Sequence, residues 1–144
     1  MYYNETMQSQ TKGFTVVELL IVIAIIGVLV SVVLPRLQTA RDEGIETKIK
    51  TDLVAVGKRA AVEESSTLTY DIVCGQGAST QSPVIADMIA DIQIFSGGLV
   101  ACRSRVGGYA VSVPLNGTTH WCVDSDGLRI ERATALGAVE YSCQ

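Results

Sequence analysis

The chain is poor in the residues that usually carry chemistry. Among its 144 residues there is one histidine, His120, one tryptophan, Trp121, and three prolines. No Ser/His/Asp or Cys/His arrangement can be built around a lone histidine, and no phosphate-binding loop is present. The four cysteines all lie after residue 73 and none stands in Cys-x-x-Cys spacing. That spacing argues against a zinc site made with His120. The loop Asp124-Ser125-Asp126-Gly127 has an acidic start, but an EF-hand would need an acidic ligand where Ala135 stands; it reads as a turn. Basic residues form no stripe after residue 60 and the net charge is −4, so no direct nucleic-acid binding is expected. The reading is of a protein with no catalytic residues, no metal and no cofactor.

Charge is scarcest between Phe14 and Leu34. These 21 residues contain one charged side chain, Glu18. A helix of that length covers about 30 Å, the thickness of a bilayer's hydrocarbon core. A carboxylate in such a span is costly; by itself it reads first as an interfacial Glu that reaches headgroups or water, or that protonates, and second as a group kept to pair with an arriving cation. Before the run lie Met1 to Gly13, short and polar; after it comes Pro35, which predicts a kink, and Gly44. Charge does not orient the segment, since Lys12 precedes it while Arg36 and Arg41 follow.

From Arg36 to about residue 66 the pattern becomes amphipathic. Leu37, Ile45, Ile49, Leu53, Val56 and Ala60 mark one helical stripe, with charges elsewhere and Glu46–Lys50 as an i,i+4 pair. Residues 67–83 have loop composition. Val84 to Ile92 can form a short helix with Ser82 as N-cap and Pro83 at the first position; a strand over Asp91 to Phe95 is the alternative. After Gly97-Gly98, short β-type runs follow: Leu99–Cys102, Tyr109–Leu115, Thr119–Val123 and Leu128–Glu131. Asn116-Gly117 is a hairpin turn signal. Three or more antiparallel strands with one face on the amphipathic helix make an α+β fold.

Lys12-Gly13-Phe14-Thr15, then Glu18, the apolar run and Pro35, closely resembles the processing site of type IV pilins and type II secretion pseudopilins. A secretory signal has its cleavage site after the apolar core; here the motif precedes it. The resemblance covers about the first 40–50 residues. It implies that residues 1–13 are a leader cut off after Gly13 and that Phe14 becomes the N-methylated terminus. Glu18 then neutralises the terminal amine of a neighbouring subunit during assembly. It further implies residues 14–35 as membrane or filament-core helix, 36–66 as amphipathic helix, and 67–144 as a disulfide-containing head, the pilin roll. Pro35 to Gly44 matches a stretch that loses helix in family filaments.

The partners implied are copies of the same chain, minor pilins, the prepilin peptidase and methyltransferase, and an inner-membrane assembly platform. The location implied is the inner membrane as a single-pass protein, then an extracellular filament. An even cysteine count in an exported domain implies two disulfides with three possible connectivities. Cys74–Cys102 with Cys122–Cys143 is preferred; the latter would staple the C-terminal tail to the sheet, as in many pilins. Two alternatives remain open: a pseudopilin of a secretion or DNA-uptake system, and a membrane-anchored binding domain, for which Glu18 would be dispensable.

Overall fold

In the computed structural model, residues 13–76, 79–115 and 118–144 are described. Residues 1–12, most of the expected leader, residues 77 and 78, and the expected turn at Asn116-Gly117 lie outside them. The elements are α1 (Val16–Thr67), α2 (Asp71–Cys74), α3 (Pro83–Ser96), β1 (Ala101–Arg105), β2 (Gly108–Pro114), β3 (His120–Asp124) and β4 (Arg129–Arg132). Two units divide the chain, Met1–Thr39 and Ala40–Gln144.

In the first unit the described residues are the start of α1 and the three residues before it. Every side chain from Gly13 to Thr39 is exposed, and the helix is long and apolar enough to cross a membrane. Pro35 has no N–H to offer the Ser31 carbonyl one turn back, yet helix is assigned without a break through Pro35 and Gly44. Hydroxyls instead fold back onto carbonyls here: Ser31 Oγ donates to Val28 O at 2.7 Å and Thr39 Oγ1 to Pro35 O at 3.2 Å. Leu37, expected on the buried stripe, is 59% exposed. It belongs to this unit, and not to the one whose core holds the later positions.

In the second unit, Ile49, Leu53, Val56 and Ala60 of α1 are fully buried. Their spacing of three and four places them on one helix face. They meet Tyr109, Val111 and Val113 of β2, Val123 of β3, and Ile85 and Ile92 of α3 in one core. Burial of a Leu such as Leu53 contributes about 2 kcal/mol. The sheet is an antiparallel meander in the order β1-β2-β3-β4. Its register sets Cys102 opposite Val111, Ser112 opposite Cys122, and Cys122 opposite Ile130.

Several expectations need correction. The stretch 67–83 is not all loop: Asp71–Cys74 forms one turn of helix, too short to show periodicity. Ser104 pins it to β1, accepting from Cys74 N at 3.2 Å and donating to Asp71 O at 3.0 Å. Ser82 stands at the N-cap of α3, but its hydroxyl makes no cap bond; it donates to Glu63 Oε1 of α1 at 2.7 Å, where Arg59 Nε also donates. Pro83 does open the helix, which runs as helix to Ser96, so Asp91 to Phe95 is not a strand. Leu99 and Val100 precede β1 instead of joining it.

The sheet is covered on both faces. One packs on α1 as expected, and β2 is buried throughout from Gly108 to Val113. The outer face carries a second cluster of Ala110, Cys122, Leu136 and Cys143, bordered by Ala101, Leu128 and Ile130. Residues 133–144 lie over it as a strap. Leu136 N donates to buried Ser112 Oγ at 3.0 Å, and Arg103 Nε donates to Gly137 O at 3.1 Å. The strap has no regular secondary structure, so no periodicity announced it.

Candidate functional site

The N-terminal end of α1 is built from Thr15 and Glu18. Helix begins at Val16, which leaves its first amides without helical acceptors. Thr15 Oγ1 accepts from Glu18 N at 3.2 Å, and Glu18 Oε2 reaches back to accept from Thr15 N at 2.9 Å. The same Oε2 also accepts from Thr15 Oγ1 at 2.9 Å. This is a capping box, Thr-x-x-Glu, in which two orphan amides are satisfied reciprocally. It also sets the negative carboxylate against the positive end of the helix dipole. Both bonds land on Oε2; Oε1 accepts none among the described residues.

Thr15 went unassigned in the sequence reading, although Thr three residues before Glu at the head of an apolar run is the sequence signature of this cap. Gly13 and Phe14 precede the helix and are non-helical and exposed, Phe14 by 86%. Nothing stands within 4 Å of where a Cβ on Gly13 would be. The Gly13–Phe14 peptide bond thus lies outside the helix between two exposed residues, with the carboxylate of Glu18 one helical turn away.

In the second unit the four cysteines form two disulfides. Cys74–Cys102 joins α2 to β1 with Cα atoms 5.5 Å apart, and Cys122–Cys143 joins β3 to the strap at 5.8 Å. Cys122 and Cys143 are fully buried; Cys74 and Cys102 are half-buried. With every sulfur paired, no thiolate is left to join His120 at a zinc ion. No group of three His, Cys, Asp or Glu side chains suited to a metal occurs among the described residues.

Asp124, 3% exposed, organises the end of β3. Its Oδ1 accepts from Asp126 N at 3.1 Å and Leu128 N at 2.9 Å, and its Oδ2 from Cys143 N at 2.8 Å. Both carboxylate oxygens therefore hold backbone, which is the turn reading of Asp124 to Gly127; Gly127 sits at φ +82°. The Asp-x-Asp-Gly signal located the turn but not the bond to the strap.

The strap has a second anchor at Glu140, whose Oε2 accepts from Gly137 N at 2.8 Å and Arg132 Nη2 at 3.1 Å. The Gly137 amide, then Arg132, hold its carboxyl below the usual carboxylate range. Tyr109 packs against Tyr70, ring centroids 5.3 Å apart. Burial above all, then the nearby Tyr70 and Asp124, pushes its hydroxyl up to about 12.

Comparison with known proteins falls on the same N-terminal segment. The family model of the prokaryotic N-terminal methylation motif matches residues 8–34. A fimbrial protein of Neisseria meningitidis serogroup B is 33% identical over 105 residues, 66% of this chain and 56% of that protein. The type II secretion system core protein G of Klebsiella pneumoniae is 44% identical over 50 residues, 35% of each chain. The type IV major alpha-pilin of Moraxella bovis is 28% identical over 93 residues, 58% of each chain. The chain thus spans between about a third and three-fifths of the length of these relatives. No solved structure matches it. The chain thus carries the prokaryotic N-terminal methylation motif at the head of an exposed apolar helix, joined to an α+β head, and it is similar over part of their lengths to type IV pilins and to type II secretion core protein G.

Proposed function

We propose that this chain is a structural subunit of a type IV pilus or related surface filament, and not an enzyme. The observation that carries the reading is the apolar start of α1, wholly exposed and interrupted only by Glu18. A surface of that size calls for lipid or for copies of itself. Residues 1–13 are removed by prepilin peptidase after Gly13, and Phe14 is methylated at its new amine. Residues 14–35 anchor the subunit in the inner membrane, then enter the filament core. Residues 36–66 and 67–144 form the amphipathic helix and the head. Pro35 and Gly44 are the sites where the helix yields on packing. Minor pilins and an inner-membrane platform are the further partners.

Glu18 meets a neighbour's Phe14 amine, a cation with an ordinary pKa near 8. Burying the two charges together is less costly than burying either alone, so their pairing sets subunit register more than stability. The similarity to core protein G favours one second reading, a pseudopilin that assembles in the same way but serves secretion.

The test is intact mass of protein sheared from the cell surface, with Glu18→Ala alongside. Expected is a chain beginning at methylated Phe14 and carrying two disulfides. Glu18→Ala is expected to stay in the membrane while filament yield falls by about tenfold or more. A chain retaining residues 1–13, or normal filaments from Glu18→Ala, would overturn the reading in favour of an anchored monomer.

A further inference from the structure

The head carries two unlike faces on opposite flanks of α1. On one flank lies α3, which contains Asp87 and Asp91 and no basic residue. Both aspartates are exposed, and beside them Ile94, Phe95 and Leu99 are exposed by 76%, 46% and 81%. Lys48 Nζ of α1 lies 4.1 Å from the centre of the Phe95 ring at the border of this acidic and apolar surface, and the two aspartates make no ion pair among the described residues.

On the other flank α1 meets the β3–β4 edge along a trough. It consists of two adjoining clefts of about 380 and 210 Å³ that share Val54 and Arg129. Its floor is aromatic, with Trp121 in one cleft and Tyr109 in the other. Its charged lining is Lys50, Lys58, Arg129 and the buried Asp124, whose oxygens are held by backbone amides. Lys50 Nζ lies 5.0 Å from the centre of the Trp121 ring. Lys58 and Arg129 are exposed and make no ion pair among the described residues.

Helix geometry separates the two faces. Lys48, Asp52 and Ala55 of α1 border the cleft shared with Met88 and Asp91 of α3, whereas Thr47, Val54 and Lys58 border the trough. At 3.6 residues per turn these sets point roughly a third of a turn apart. One chain therefore cannot close α3 onto its own trough.

We propose that the α3 face of one copy docks into the trough of the next. Asp87 and Asp91 meet Lys58 and Arg129, and the apolar residues beside the aspartates meet the aromatic floor. The faces are complementary in charge and in apolar character, and they differ from each other. Such a contact is heterologous, and one that does not close to a ring propagates as an open helical array. Charge pairing here selects register between copies more than it adds affinity. The inference rests on the filament reading above and deepens it, assigning a head-to-head contact beside the contact at Glu18.

The experiment compares sheared filament yield for the wild type, K58E/R129E, D87K/D91K and the fourfold variant. Membrane level and intact disulfides, checked by mass, serve as controls for folding. Each double variant is expected to lower yield about tenfold, and the fourfold variant to return it to within about threefold of wild type, since charge-swapped pairs restore what either reversal removes. Zero-length carbodiimide cross-linking of wild-type filaments should join Lys58 to Asp87 or Asp91, a link that must run between copies. Unchanged yield from both double variants, or absence of that cross-link in intact filaments, overturns the docking. So does unchanged assembly of K58E/R129E with loss of polyanion binding by its filaments, which would give the trough to an outside ligand. If the wild type forms no filaments at all, the filament reading itself falls, and the docking with it.

Discussion

Replacing Cys122 and Cys143 together by Ala tests what holds the strap. The bond closes a loop between residues 21 apart. Releasing that loop in the unfolded chain lowers stability by about 3.4 kcal/mol on the chain-entropy account. Both sulfurs are fully buried, and trimming them to methyl groups removes a further ~1 kcal/mol of packing. The expected total is about 4 kcal/mol, which moves a guanidinium midpoint by roughly 1 M at a slope near 4 kcal/mol per molar.

Trp121, the single tryptophan, sits beside Cys122 and reports the transition in detergent-solubilised protein. Hydrogen exchange gives a second reading, because Leu136 N and Cys143 N donate to Ser112 and Asp124. Both amides should lose protection in the variant while those of β2 and β3 keep theirs. A midpoint loss worth under about 1.5 kcal/mol, with both strap amides still protected, would refute the reasoning. It would mean that Asp124, Ser112 and Arg132 fix the strap without the covalent bond.

Other consequences are equally checkable. A Cβ on Gly57 would stand 2.9 Å from the Tyr109 hydroxyl and 3.6 Å from Val123 Cγ1, so Gly57→Val should destabilise the head by about 2 kcal/mol in the same unfolding assay. Tyr109 should resist ionisation in an alkaline absorbance titration until about pH 12. Its pKa is raised above the unfolded value near 10, so its contribution to stability is full below pH 10 and is lost as pH rises through 12. Glu140 has a depressed pKa, so its contribution is present above its unfolded value of about 4.3 and is lost as pH falls through the lower folded value. Glu140→Gln should remove that acid-side loss, seen as weaker pH dependence of exchange at Gly137 N.

The sequence was legible where one rule dominated. The apolar run from Phe14 to Leu34 holds a single charge, the stripe Ile49-Leu53-Val56-Ala60 repeats at helical spacing and the run from Tyr109 to Leu115 alternates; helix covers the first two from Val16 on, and strand the third as far as Pro114. β2 and β3 do pair as a hairpin, with Pro114 opposite His120 and Leu115 N donating to Thr119 O, a register that leaves three residues between the paired positions and not the two of Asn116-Gly117, which lie outside the described residues. What stayed hidden depends on distant partners. The turn of helix at Asp71–Cys74 exists because Ser104, some thirty residues on, supplies its hydrogen bonds. Ser82 reads locally as a cap, but Glu63 of α1 offers its hydroxyl a charged acceptor. The staple of the strap, Cys122–Cys143, was expected, but the strap has no period, and its bonds to Ser112 and Asp124 were not legible. At the candidate site Glu18 stood out by charge, whereas Thr15 was passed over because its role is local and uncharged.

The cap at the start of α1 bears on maturation. Thr15 and Glu18 both lie on the C-terminal side of the Gly13–Phe14 bond. Whatever happens at that bond, the groups that begin the helix remain with it. On the proposed processing, a cut there would change the charge at the end of the chain without removing either capping group, so it would alter the helix's electrostatics and leave the first turn its hydrogen bonds. The new amine would then appear beside a carboxylate already fixed in position.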